Sequence, residues 1–154
     1  ETDAARIAKI CGTKDITVKE ENIETKELKD ILEKSFKEES LKYKAIHPSY
    51  NSKNDRNDDE ILFITCYIEI DDSYGIHIDN RLESTKWVID IVIMKPDNRF
   101  KIINILKNNG IHYEDYNGEC HGEFEGHIKL FELDKNIRLN EIKNINVKLL
   151  KLFQ

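Results

Sequence analysis

The sequence predicts an α+β fold: a mixed, largely antiparallel sheet of five to seven strands, with two or three helices packed on one face. Three observations carry that expectation. The segments EILFITCYIEID (60–71) and KWVIDIVIMK (86–95) are rich in β-branched and aromatic residues with a period of two. Two other stretches repeat their apolar residues at helical spacing. An Asn117-Gly118 pair between alternating segments is the usual mark of a two-residue hairpin turn. At 154 residues the chain is expected to form a single domain, 1–154, able to bury a core without disulfides or metals.

Taken in order, Ala4, Ile7, Ala8 and Cys11 predict a short helix that stops at Gly12, and DITVKE (15–20) predicts a strand. Thr25 is a candidate N-cap for a helix over 26–38, with Leu28, Ile31, Leu32 and Phe36 as its apolar stripe. Residues 47–59 hold one proline and almost nothing apolar, so they are expected to form a mobile surface loop. Strand 60–71 places Cys66, Ile68 and Ile70 on one face and Tyr67 and Glu69 on the other, both suited to cover. After the DDSYG turn comes a short strand at 76–79. In 86–95, Trp87, Ile89, Ile91 and Ile93 share a face, with Val88, Asp90, Val92 and Met94 behind them.

Pro96 ends that strand, and residues 97–108 predict a helix with Asp97 as cap, Phe100, Ile102, Ile103 and Leu106 inward, and Asn109-Gly110 beyond its end. Residues 86–116 then read as a strand–helix–strand unit, with a right-handed crossover expected if its strands are parallel in one sheet. The second hairpin strand extends towards Leu133. The tail 145–153 alternates like a strand, and its asparagines and Val147 favour strand over the helical alternative.

Charged residues make up 35% of the chain and the net charge is −6, concentrated in two acidic blocks at 55–90 and 112–134. Such a surface repels phosphate backbones, so nucleic acid is a disfavoured partner and a basic protein a favoured one. No stretch approaches the roughly 18 consecutive apolar residues of a membrane span, so no membrane partner is expected. Cys11, Cys66 and Cys120 are far apart and odd in number, which points to free thiols in a reducing compartment and a cytoplasmic location.

The acids Glu69, Asp71, Asp72 and Asp79 are the candidate protein-binding residues. A two-residue turn at 117–118 would pair His112 with Glu123 and Glu114 with His121, gathering His112, Glu114, His121 and Glu123 on one face. Two imidazoles and two carboxylates there could hold a divalent metal. Glu69, Asp71 and Asp90 form a second carboxylate set, but no lysine stands two positions beyond Asp90, as a nuclease of the (D/E)-x-K kind requires. No resident cofactor and no catalytic residue are assigned. The leading expectation is a non-enzymatic protein-binding module, its acidic surface docking on a basic protein as an inhibitor, immunity protein or antitoxin would. A metal-dependent hydrolase or nuclease built on the His/Glu hairpin or the central carboxylates is the alternative. A structural domain of a larger protein is a third reading, because the chain opens on Glu1.

Overall fold

The computed structural model describes residues 17–19, 23–52, 63–82, 85–115 and 126–154. Its elements run β1 (Thr17–Lys19), α1 (Ile23–Glu38), β2 (Ala45–Ser52), β3 (Phe63–Glu69), β4 (Ile76–Leu82), β5 (Lys86–Ile93), a 3-10 turn (Pro96–Asn98), α2 (Arg99–Asn108), β6 (Glu114–Asp115), β7 (Gly126–Asp134) and α3 (Leu139–Leu152). The seven strands form one sheet in the order β1-β2-β3-β4-β5-β7-β6, and every neighbouring pair is antiparallel. The α+β class is therefore the observed one. β5 and β6 run parallel to each other, as the strand–helix–strand reading allowed, but β7 lies between them.

The alternation seen in the sequence sorts the sheet into two faces. Ile46, Ile68, Ile78, Ile91 and Ile128 follow one another across five strands in strict register. They join Cys66, Ile76, Trp87, Ile89 and Ile93 in one core cluster with Leu28, Leu32 and Phe36 of α1, Ile102 and Leu106 of α2, and Ile142, Leu149 and Leu150 of α3. Burying a side chain of this size contributes about 1.5–3 kcal/mol, so this face and the helical stripes supply most of the folding drive. A bulge between Ile89 and Asp90 leaves Leu130 as an extra residue on β7, and Leu130 is buried in the same cluster.

Both caps that close helices towards the sheet have one geometry. In α1, Ser40 takes φ 54°, with Ser40 N–H donating to Lys37 O and Leu41 N–H to Phe36 O. In α2, Gly110 takes φ 68°, with Gly110 N–H donating to Lys107 O and Ile111 N–H to Leu106 O. Glycine carries that left-handed conformation without strain, whereas serine does not. Ser40→Gly is therefore expected to stabilise the protein by about 0.5–1 kcal/mol. Chemical denaturation checks this, and a loss of stability would contradict the strain argument.

Several expectations are corrected here. Residues 145–152 are helical, with Phe153 closing the helix, and not a strand. Residues 45–52 are strand β2 rather than the start of a loop, because Ile46 finds its place in the isoleucine row; residues 53–60 lie outside the described residues. The helix predicted at 2–12 lies outside them as well. α1 starts at Ile23, so Thr25 is inside its first turn and buried rather than capping it. Phe100 points out and is 77% exposed, since the 3-10 turn rotates α2 to bury Arg99, Ile102 and Leu106 instead. Among the described residues, no helix is long and apolar enough to cross a membrane.

Candidate functional site

The β3–β4 connection carries the exposed acids Asp71 and Asp72, and it is tied down from several sides. Asp71 accepts the Ser73 N–H at 2.6 Å, and hydrogen bonds from Ser73 hold its carboxyl below the usual carboxylate range, so it is ionised at neutral pH. Lys95 donates to Asp72 O, and the Asn98 side chain donates to Ser73 O at 2.9 Å and Tyr74 O at 2.7 Å. Gly75 takes φ +60°, and its carbonyl receives Met94 N–H and Lys95 N–H. A Cβ at Gly75 would sit 2.4 Å from Lys95 Cγ, so the close approach needs glycine twice over. Asn98, and not the expected Asp97, is the N-cap residue of α2, and it spends its amide on the acidic turn rather than on the helix.

Beside that turn lies a groove of about 880 Å³. Ile70 and Phe153 form buried parts of its lining, Leu41 and Tyr43 add partly buried apolar surface, and Lys42, Lys44, Asp71, Asp72 and Gln154 supply polar groups. Burial and then the Glu33 carboxylate push the Tyr43 phenol above its ordinary value, so it stays protonated. Lys44 Nζ lies 3.1 Å from Asp72 Oδ1, with the two side chains 55% and 82% exposed. A pair so open to solvent contributes about 0–1 kcal/mol at most, and either partner is readily exchanged for another ion.

The other two acids singled out by sequence lie elsewhere, on the second face of the sheet. Glu69, with its side chain 14% exposed, places Oε1 3.2 Å from His47 Nε2 and 3.9 Å from His77 Nε2. The Tyr67 ring lies against both imidazoles, at 4.7 Å from His47 and 5.1 Å from His77. Asp79 is buried and bound to Arg81. It sits directly across from Asp90, and Arg81 also reaches Asp90, with Nη2–Oδ2 at 3.1 Å. The structure therefore brings Asp71 and Asp72 together in an exposed turn and separates them from Glu69 and Asp79, which are held in cross-strand contacts.

The hairpin cluster is not assembled as expected in its described part. β6 pairs with β7 so that Glu114 faces Lys129 rather than the expected His121, and Asp115 faces Ile128. Arg99 of α2 anchors Asp115 at that position. His112 and Glu114 are exposed, while His121 and Glu123 lie outside the described residues. Among the described residues, no group of three or more His, Cys, Asp or Glu side chains is placed to hold a metal ion, which includes the set Glu69, Asp71 and Asp90.

At the far edge of the same face, Glu132 receives Lys129 and Lys86, and the hydrogen bond from Lys129, then that from Lys86, lowers its carboxyl to about 2. Because the folded value is depressed below 4.5, this contribution to stability is present above pH 4.5 and is lost as pH falls towards 2. A carbon-detected NMR titration should find the Glu132 midpoint near 2, rising towards 4.5 in Lys129→Met. A wild-type midpoint already at 4.5 would show that the two lysines do not hold it in solution.

Sequence reasoning missed most of the groove. Its lining joins residues 40–44, 70–72 and 153–154, and no local pattern announces a meeting of segments more than a hundred residues apart. Comparisons with protein-family models, with curated proteins and with solved structures find no match to this chain.

Proposed function

We propose that the protein is a non-enzymatic protein-binding module that docks a basic partner on the acidic β3–β4 turn and the groove beside it. The observation that carries this reading is the juxtaposition of a held, exposed and ionised acidic turn with an open groove that has an apolar lining. Apolar surface gives contact area, and exposed charge gives steering and orientation. Lys44 already shows how a cation sits on Asp72, and a partner's lysine or arginine can take the same place at little cost. The turn's attachments to Lys95 and Asn98 keep its ordering cost out of the binding step.

The test is the association rate of the purified protein with the partner chain recovered alongside it, measured against ionic strength. Asp71→Lys with Asp72→Lys should slow association at least about tenfold in low salt and flatten its salt dependence, with folding unchanged. Equal rates for the wild type and the double variant would remove the turn as a docking element.

A further inference from the structure

We infer that Asn109 is a site of deamidation, and that the closed cap at the end of α2 sets the rate. The inference stands apart from the docking reading and concerns the chemistry of the chain itself. Asn109 and Gly110 are both exposed, so water reaches them. A glycine after the asparagine leaves the attacking backbone nitrogen uncrowded by a side chain. Around Gly110, no atom of the described residues lies within 4 Å of the place a Cβ would take. The Asn109 amide and the Gly110 nitrogen are therefore open to reaction whenever the backbone brings them together.

In the reaction the Gly110 nitrogen attacks Asn109 Cγ. An N–Cγ bond forms, the Cγ–Nδ2 bond breaks, and ammonia leaves with the proton of the Gly110 N–H. Water then opens the cyclic imide at either carbonyl, giving aspartate or isoaspartate. The cap opposes the first step in three ways. Gly110 N–H donates to Lys107 O at 3.1 Å, which holds its proton in the cap. Asn109 Nδ2 donates to Ile105 O at 2.7 Å, which turns the side-chain amide back along the helix. Ring closure also needs Cβ and the Gly110 nitrogen eclipsed about the Cα–C bond of Asn109, and ψ 9° holds them apart. Ile111 secures this arrangement, with its N–H on Leu106 O at 3.0 Å and its buried side chain in the same core cluster as Leu106. Attack thus waits for Ile111 to leave its place and the last turn to fray.

Deamidation unlatches the end of α2. An aspartate at position 109 cannot donate to Ile105 O, and its charge stands at the negative end of the helix. Isoaspartate runs the main chain through Cβ and adds an atom between α2 and Ile111, so the bonds to Lys107 O and Leu106 O lose their register. The segment that carries the chain from α2 to β6 then loses its anchor, and no step of the reaction restores it.

The experiment ages the full chain at physiological temperature in mildly alkaline buffer, once native and once in urea. Cleavage after Glu114 separates Asn109 from the other Asn-Gly pair, Asn117-Gly118, and fragment masses locate the exchange of NH2 for OH. Conversion is expected at Asn109 in both samples, about ten- to a hundredfold slower in the native one. Ile111→Val, which loosens the anchor without emptying its place, should speed native conversion about two- to tenfold and leave the urea rate unchanged. Hydrogen exchange at Gly110 N–H should rise by the same factor. Native and urea rates that agree, or a native rate unmoved by Ile111→Val, would overturn the control by the cap. A native chain still intact at Asn109 after about a hundred times the urea half-life would overturn the site itself.

Discussion

Replacing Arg81 with leucine is expected to destabilise the protein by about 3–5 kcal/mol, the cost of breaking a buried ion group by removing one member. Arg81 Nη1 lies 3.2 Å from Asp79 Oδ2 and Nη2 lies 3.1 Å from Asp90 Oδ2. The two aspartates are direct cross-strand partners on β4 and β5, and Asp90 is 1% exposed. Like charges opposite one another weaken a sheet, and the guanidinium fork between them reverses the sign. Asp90→Asn in the same chain should therefore recover part of the deficit of Arg81→Leu by removing the repulsion. Urea denaturation at pH 7 reads both effects. A loss below about 1 kcal/mol at pH 7 would mean that the pair is served well enough by other groups.

A second large effect is expected at the contact between β4 and α3. Asn80 Nδ2 donates to Asn146 Oδ1 at 2.9 Å, and Asn146 Nδ2 returns the bond to Asn80 Oδ1 at 2.8 Å. Asn80 also donates to Cys66 O at 3.0 Å, and Asn146 to Ile142 O at 2.8 Å. Both side chains are fully buried, so removing one leaves the other's amide without its partner inside the core. Asn146→Ala and Asn80→Ala should each cost about 2–3 kcal/mol. The double variant should cost less than the sum by at least about 1 kcal/mol, because the second truncation removes the orphaned amide. Strictly additive losses in the double-mutant cycle would show that the two amides do not act as a pair.

That same pair explains the misreading of the C-terminal segment. On a helical wheel, Ile142, Asn146, Leu149, Leu150 and Phe153 share the buried side of α3, with a polar residue in the middle of the stripe. Read alone, Asn146 interrupts a helix face and favours the strand alternative. Its partner Asn80 stands 66 residues away, and only the folded chain shows that the interruption is satisfied.

What the sequence by itself determined is the set of local periodicities: the strands at 63–69 and 86–93, the two-sided character of the sheet, the body of α1, and the end of α2 at Asn109-Gly110. Each follows from side-chain alternation, a helical stripe or a left-handed cap, and these forces act within a few residues. The tertiary structure decided the rest. It set Glu114 of β6 against Lys129 of β7, drew 45–52 into the sheet through the isoleucine row, and withdrew Glu69 and Asp79 from the acidic surface by giving them imidazole and guanidinium partners. It also made the groove, by bringing the end of α3 against residues 40–44. Pairing energy between distant strands and the cost of leaving a buried polar group unmatched depend on who the neighbour is, and a linear pattern carries no record of that.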